Sequence, residues 1–102
     1  MFIVTNRIAV TPGWEEAFEE RFRSRIGQVE KNPGFERMHV LRPLSDDAPY
    51  VIYTVWRDRE AYHEWVNSDD FRRDHENPLP QAAFSGKPVL EYFEVALETV
   101  GR

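Results

Sequence analysis

Few residues of this chain have side chains suited to chemistry, and the most suggestive is an asparagine inside an apolar pattern. The chain opens with FIVTNRIAV, whose strict alternation predicts a strand with one apolar face. Asn6 lies in the middle of that face, whose other members are Phe2, Val4, Ile8 and Val10. A buried carboxamide without a hydrogen bond costs roughly 1–3 kcal/mol. We therefore expect Asn6 to have a partner, either a structural group or a ligand.

Three histidines are the other polar candidates. His39 falls in a predicted strand and His63 in a predicted helix, and for both a packing or solvated role is the simpler interpretation. His75 differs because it follows a short capped helix and shares a helical face with Phe71, four residues earlier. Taken alone, His75 is also explained as a structural residue beside acidic neighbours.

Most other kinds of site lack their sequence signature. The chain has no cysteine, which excludes disulfides, thiolate metal sites and cysteine nucleophiles. It has no HExxH motif, no histidine pair at i, i+4, no GxGxxG and no phosphate-binding loop, so neither a metal site made of protein ligands alone nor a nucleotide site is predicted. A net charge of −5 argues against nucleic acid and anionic membranes as partners. No apolar run approaches the roughly 20 residues of a membrane span, so we expect a soluble, cytoplasmic protein.

Apolar spacing predicts the elements that position these side chains. After the strand 2–10, Thr11-Pro12-Gly13 indicates a hydroxyl cap and a first-turn proline. A long amphipathic helix follows and is expected to end at Asn32-Pro33-Gly34. Its apolar face consists of Trp14, Phe18, Phe22, Ile26 and Val29, with Ala17 beside them.

The second half predicts two strands, a helix, a short helix and a last strand. The strands are 35–41 and 50–56, the helix is 57–66, and the last strand is 89–100, after a proline-rich loop at 77–88. Between the helix and the loop, Asn67-Ser68-Asp69-Asp70 offers a cap for a short helix that carries Phe71 and His75. On one continuous helix Trp65 and His75 would lie roughly 80° apart around the axis. The break between the helices allows the second helix to take a different direction, so that both side chains can face one cavity.

The element order predicts a single α+β domain spanning 1–102, a ferredoxin-like antiparallel sheet with helices on one face. The strand YVIYTVW at 50–56 is apolar on both faces, so both faces must be covered. A second copy of the same sheet is the natural cover for the face without helices. We therefore expect a homodimer, a dimeric α+β barrel.

Aromatic residues make up 14% of the chain, and several converge between the predicted sheet and helices. These are Phe18, Phe22, Trp56, Trp65 and Phe71. A well-filled core explains them; so does an apolar cavity with one inward amide and one imidazole, which suits a flat aromatic ligand.

Four stretches together resemble a known family: FIVTNRIAV, NPGFERMHVLRP, YTVWRDREAYHEW and SDDFRRDH. They are similar to the IsdG-type heme-degrading monooxygenases of the antibiotic biosynthesis monooxygenase (ABM) superfamily, and the resemblance covers nearly the whole chain. The heme-degrading branch is marked by an asparagine, a tryptophan and a histidine. All three are present here, as Asn6, Trp65 and His75.

The resemblance implies a role for each of these residues. His75 would be the proximal ligand of the heme iron, with a hydrogen bond to its other ring nitrogen fixing the tautomer. Asn6 would lie on the distal side and donate to dioxygen, and Trp65 would press on the porphyrin and favour a distorted ring. Phe22 and Phe71 would complete the heme-binding set.

The implied reaction is oxidative opening of the porphyrin with release of iron. Heme would be both substrate and cofactor, and dioxygen would be consumed. An external reductant would supply the electrons, since the chain has no flavin or NAD motif. Four arginines could pair with the propionates or form a solvated helical face: Arg21, Arg25, Arg72 and Arg73.

Two other functions fit the same pattern. A cofactor-independent ABM monooxygenase acting on a polyketide or quinol would use the aromatic cavity and Asn6, but would not need an imidazole at position 75. A non-catalytic heme-binding or sensing protein on the same dimer would need the imidazole but would not turn heme over.

Overall fold

The computed structural model describes residues 1–25 and 28–101, which contain four strands and three α-helices. The strands are β1 (Phe2–Ile8), β2 (Phe35–Leu41), β3 (Tyr50–Trp56) and β4 (Val89–Glu94). The α-helices are α1 (Glu15–Arg23), α2 (Arg59–Val66) and α3 (Asp69–Asp74). Two short 3-10 helices lie at Val29–Lys31 and Gln81–Ala83.

The four strands form one antiparallel sheet in the order β2-β3-β1-β4. With helices between β1 and β2 and between β3 and β4, this is the ferredoxin-like arrangement that the sequence predicts. β1 lies at the centre, where Asn6 is in register with Ile52 of β3 and Leu90 of β4. The side chain of Asn6 therefore projects from a backbone position that has a paired strand on each side.

The core lies between the sheet and the helices and has two parts. One contains Phe2, Val4, Val29, Trp56, Ala61 and Trp65, and the other contains Phe18, Tyr50 and Ile52. Because side chains alternate along a strand, Val51, Tyr53 and Val55 of β3 lie on the opposite face of the sheet. β3 is therefore apolar on both faces, as predicted.

A close backbone contact fixes the position of α2. The carbonyl of Gly34 accepts a hydrogen bond from the amide of Arg57 at 2.7 Å, and a Cβ at Gly34 would lie only 2.2 Å from Cβ of Ala61. Asp58 caps the helix by accepting from the amide of Ala61 at 2.9 Å. The NPGF turn thus needs a glycine because α2 packs directly against it.

The first helix is shorter than its apolar spacing predicts. The amide of Arg25 donates to the carbonyl of Phe22 at 3.1 Å, an i→i−3 bond that tightens the last turn. The carbonyl of Arg21 accepts instead from the hydroxyl of Ser24 at 2.9 Å, so the serine competes with the helical pattern. Val29 is buried as predicted, but in a separate 3-10 turn; Ile26 lies outside the described residues.

The predicted hydroxyl cap at Thr11 is wrong. The amide of Trp14 donates to the carbonyl of Thr11 at 3.0 Å, and Gly13 has a φ of +97°. Proline followed by a glycine of positive φ is typical of a type II turn, which uses the same residues as a helix start. α1 begins after that turn, at Glu15, whose carboxylate accepts from the amide of Gly13 at 2.7 Å.

The first and last strands along the chain end earlier than predicted. β1 ends at Ile8, and Val10 forms an isolated bridge with Phe84. β4 ends at Glu94, which is opposite Phe2 where β1 begins. The amide of Val95 still donates to the carbonyl of Met1 at 3.2 Å, and beyond Val95 no part of β1 is left to continue the ladder. The predicted helix 57–66 begins two residues late, at Arg59, and the predicted loop 77–88 contains the 3-10 turn Gln81–Ala83.

Candidate functional site

A cavity of about 540 Å³ lies between the sheet and the helices. Its volume falls in the range of roughly 300–1,000 Å³ that is usual for small-molecule sites. All five residues that the sequence predicts for the site line it: Asn6, Phe22, Trp65, Phe71 and His75. Phe18 and Trp56 line it as well, so the predicted convergence of aromatic residues surrounds a space rather than filling it.

Asn6 reaches the cavity from the central strand. Its Oδ1 is buried and has no hydrogen-bond partner among residues 1–25 and 28–101. An orphaned buried acceptor of this kind costs roughly 1–3 kcal/mol, so it is rare unless function requires it. The terminal group can turn over by rotation about χ2, which presents either its oxygen or its NH2 to the cavity.

Trp65 and Phe71 come from two helices that one serine joins. The hydroxyl of Ser68 donates to the carbonyl of Trp65 at 2.6 Å and accepts from the amide of Phe71 at 3.1 Å. Ser68 therefore caps α3, as predicted, and sets its direction after α2 ends at Val66. The rings of Trp65 and Phe71 meet edge to face, with centroids 5.7 Å apart. The break between the helices lets both rings border one cavity.

His75 follows the last residue of α3 and is exposed at the edge of the cavity. Its Nδ1 lies 2.8 Å from the carbonyl oxygen of Phe71. A carbonyl can only accept, so Nδ1 carries the proton and the neutral imidazole has its lone pair on Nε2. The family resemblance implies such a hydrogen bond without naming its partner, and here the partner is the backbone one turn earlier.

Charged side chains from α1, from the turn that follows it and from α3 also border the cavity. Nε of Arg21 is buried without a hydrogen-bond partner among the described residues, and the guanidinium of Arg25 lies 5.3 Å from the centroid of the Phe22 ring. Burial lowers the pKa of Arg25, with a further contribution from Arg21. Burial also raises the pKa of Asp74, although Arg25 opposes the shift. Two arginines and one carboxylate thus share this wall.

The remaining candidates lie elsewhere. Arg72 and Arg73 pair with acidic residues three positions earlier on α3 and do not line the cavity. His39 is exposed and stacks on Tyr53 at 5.8 Å between centroids, and His63 is exposed on α2. The packing or solvated role predicted for both histidines agrees with these positions.

Sequence reasoning assigned no site role to several other lining residues. Thr54 lies on the cavity face of β3, where its hydroxyl accepts from Nε1 of Trp56 at 3.0 Å. Tyr62 lies one turn before Trp65, and burial together with the hydroxyl of Tyr92 raises the pKa of Tyr62 to about 12. Strand alternation and helical spacing could have found these two. Leu79, from the proline-rich segment, has no such periodic signal.

A second, wider cleft of about 1130 Å³ lies next to the start of α1 and contains none of the predicted site residues. Glu19 lines this cleft and accepts hydrogen bonds from Nε of Arg42 at 2.7 Å and from the hydroxyl of Tyr50 at 2.5 Å. These bonds lower the pKa of Glu19 to about 2. The network ties α1 to the end of β2 and the start of β3, so we assign it to the fold.

Residues 1–25 and 28–101 contain no group of three or more histidine, cysteine, aspartate or glutamate side chains placed to hold a metal ion. Within the same ranges, no helix has the length and hydrophobicity needed to cross a membrane.

Comparison with known proteins gives consistent matches. The antibiotic biosynthesis monooxygenase family model matches residues 1–77. A mycobilin-producing heme oxygenase of Mycobacterium tuberculosis is 33% identical over 96 residues, which cover 94% of this chain and 90% of the relative. The heme-degrader MhuD of M. tuberculosis, solved with two hemes in its active site, aligns with a TM-score of 0.80 at 30% identity, covering 98% of this chain and 100% of that one.

Another structure shares the fold alone. SnoaB, a cofactor-independent oxygenase from Streptomyces nogalater, aligns with a TM-score of 0.76 at 24% identity over 95% of this chain and 94% of its own. The same fold therefore occurs in proteins that use heme and in proteins that need no cofactor. The residues that line the cavity are what distinguish the two kinds of protein.

Proposed function

Because the chain belongs to the antibiotic biosynthesis monooxygenase family, we propose that it is a heme-degrading monooxygenase. In this proposal the enzyme opens the porphyrin ring with dioxygen and electrons from an external reductant, and iron is released. The observation that carries the proposal is His75, whose Nδ1 is committed to the Phe71 carbonyl, which leaves the lone pair of Nε2 at the edge of an aromatic cavity.

The cavity fits a heme in its shape and in its polar groups. Its walls are mainly apolar and aromatic, as a porphyrin requires. A neutral imidazole with a fixed tautomer is a suitable iron ligand. Oδ1 of Asn6 and Nε of Arg21 are buried groups that the described protein leaves without a partner, and a polar ligand would satisfy them.

Each proposed site residue then has a distinct task. When bound, heme supplies the iron at which dioxygen is activated. His75 would hold that iron through Nε2, and Asn6 would present its NH2 to dioxygen. Trp65 is only 7% exposed and is packed in the core, so it forms a rigid wall that can press on the porphyrin. Phe22 and Phe71 confine the ring and exclude water.

The wider setting is also part of the proposal. We place the electron source outside the chain, because the sequence has no flavin or NAD motif. We propose a homodimer because β3 is apolar on both faces and Val89 and Phe93, on the face away from the helices, are each 49% exposed. The domain is taken as 1–102, and the reaction is placed in the cytoplasm.

Titration with hemin tests the proposal. We expect a saturable Soret band with wild-type protein that His75→Ala loses or shifts. His63→Ala is the matched control, because that histidine is exposed on α2 and does not line the cavity. Ascorbate in air is then expected to bleach the band and free iron that a chelator captures. Saturable binding that is unchanged in His75→Ala would refute the role of the imidazole.

The same experiment separates the alternatives. A protein that ignores hemin but oxidises a quinol would be a cofactor-independent monooxygenase. A protein that binds hemin through His75 and never bleaches it under reductant and air would be a heme-binding protein without turnover.

A further inference from the structure

Three readily oxidised side chains are in successive contact between the cavity and solvent. Trp56 is 1% exposed and lines the cavity, as does Tyr62. Tyr92 lies on β4 and is 52% exposed. The ring centroids of Trp56 and Tyr62 are 5.6 Å apart, and those of Tyr62 and Tyr92 are 5.9 Å apart. Both contacts are edge to face, so no other side chain separates the rings.

We propose that Trp56, Tyr62 and Tyr92 form a redox relay that carries oxidising equivalents from the cavity to the protein surface. The inference rests on the proposed function, because an oxygen-activating heme is the source of those equivalents. The relay protects the side chains around the cavity from oxidation. When an oxidant does not react with the substrate, its oxidising equivalent is transferred to Tyr92 at the surface, where a reductant in solution can quench it.

The chemistry of the three residues suits this task. Indole and phenol rings lose one electron far more readily than a phenylalanine ring. Phe2 contacts the rings of both Tyr62 and Tyr92, with centroids 5.8 and 6.0 Å apart, and therefore packs the relay without joining it. Nε1 of Trp56 is held by Thr54, which fixes the indole in place.

Proton movement follows from the same geometry. The pKa of Tyr62 is raised to about 12 by burial and by the neighbouring Tyr92 hydroxyl, so its phenol is neutral at physiological pH. Loss of an electron from Tyr62 must therefore be accompanied by loss of its proton. Tyr92, half in solvent, provides the exit for that proton.

The steps balance with hydrogen peroxide as the oxidant source and ascorbate as the final reductant. Trp56 loses one electron to the oxidant that peroxide generates at bound heme. Tyr62 returns an electron to Trp56 and releases its phenolic proton, and then takes a hydrogen atom from Tyr92. Ascorbate gives a hydrogen atom to Tyr92 and becomes the ascorbyl radical. In sum, one electron reaches the oxidant, one proton enters solvent, and the three side chains are unchanged.

Electron paramagnetic resonance of the heme-loaded protein provides the first test. Mixing with hydrogen peroxide and rapid freezing is expected to give a tyrosyl radical that is several-fold weaker in Tyr62→Phe and Tyr92→Phe. Tyr53→Phe is the matched control, because Tyr53 lies on the opposite face of the sheet. A signal of equal size in all four proteins would overturn the relay. Both relay variants lose only a hydroxyl, so folding is preserved.

A heme-free test keeps the relay separable from the proposed function. A ruthenium tris(bipyridine) sensitiser with a sacrificial electron acceptor oxidises aromatic side chains under a light flash, including buried ones by short-range electron transfer, and mass spectrometry of peptides then measures lasting oxidation at Trp56. Because the relay returns electrons to Trp56 from Tyr62 and Tyr92, we expect lasting oxidation of Trp56 to rise several-fold in Tyr62→Phe and Tyr92→Phe but not in Tyr53→Phe. Equal oxidation of Trp56 in all variants would overturn the relay, whether or not hemin binds.

Discussion

His75 and Phe71 are linked twice across one helical turn. Nδ1 of His75 donates to the carbonyl of Phe71 at 2.8 Å, and the two rings stack with centroids 4.1 Å apart at an interplanar angle of 28°. The hydrogen bond determines which nitrogen carries the proton, and the stack determines where the other nitrogen points. An exposed imidazole at a helix end is thereby held in one orientation without burial.

Loss of the ring at position 71 should loosen this arrangement. In Phe71→Ala the backbone hydrogen bond persists but the stack is lost, and a pair of this kind is worth about 0.5–1.5 kcal/mol. We expect hemin affinity to fall several-fold in a Soret titration, while Phe71→Tyr, which keeps the ring, binds like wild type. Equal affinity of Phe71→Ala and wild type would show that the stack does not position the imidazole.

Replacement of the orphaned amide should separate stability from activity. Asn6→Val removes a buried acceptor without a partner and suits a central strand, so the free energy of unfolding of the heme-free protein should rise by about 1 kcal/mol. The variant should still bind hemin yet lose most of its turnover with ascorbate. Urea denaturation and the rate of Soret bleaching measure the two effects.

Asn77→Ala is the control for that experiment, because Asn77 is exposed and outside the cavity lining. Asn77→Ala should change neither the free energy of unfolding nor the rate of Soret bleaching. A less stable Asn6→Val protein would mean that the amide has a structural partner, and full turnover by it would remove Asn6 from the chemistry.

Lowering the pH should weaken the hydrogen bonds that Glu19 accepts from Arg42 and Tyr50. The pKa of Glu19 is lowered from 4.5 to about 2 by hydrogen bonds from Arg42 and then Tyr50. A depressed carboxyl pKa stabilises the fold at pH values above 4.5, and this contribution is lost as the pH falls toward 2. Since the network lies near the surface and is screened, we expect Glu19→Gln to lose only about 1 kcal/mol at neutral pH.

Urea denaturation of wild type and Glu19→Gln across this pH range checks the sign. The difference in the free energy of unfolding between wild type and Glu19→Gln should shrink to zero as the pH approaches 2. Glu20→Gln serves as the control, since Glu20 makes only an exposed pair with Arg23. A difference that does not vary with pH would contradict the carboxylate as the cause.

A methyl group at Gly34 should destabilise the fold through a specific collision. Gly34→Ala places a Cβ 2.2 Å from that of Ala61, and overpacking of this kind costs about 1–3 kcal/mol. The double variant Gly34→Ala with Ala61→Gly should recover part of the loss, because the opposing methyl is gone. Gly101→Ala, where nothing lies within 4 Å, should be neutral. Thermal melting distinguishes the three, and absence of rescue would contradict the collision with Ala61 as the cause.

Local patterns determined much of this protein. Alternation predicted β2 to its exact bounds and placed Asn6 among the cavity-facing residues. A cap within Asn67-Ser68-Asp69-Asp70 was predicted because a serine hydroxyl and the amide three residues on meet without help from the rest of the chain. Where two local structures share one signal, prediction went wrong. Thr11-Pro12-Gly13 suits a type II turn as well as a helix start, and apolar spacing continues through Val29 although the helix has ended.

Only the tertiary structure decided which groups are left without partners and which acquire them over long distances. Residue spacing shows that Asn6 faces inward, but the orphaned state of its Oδ1 depends on what β3, β4 and the helices bring near it. Arg42 reaches Glu19 across 23 positions, and Trp56, Tyr62 and Tyr92 meet from three separate elements. The reason is physical: periodicity records the direction of each side chain from its own backbone, whereas distances between elements arise from packing all of them at once.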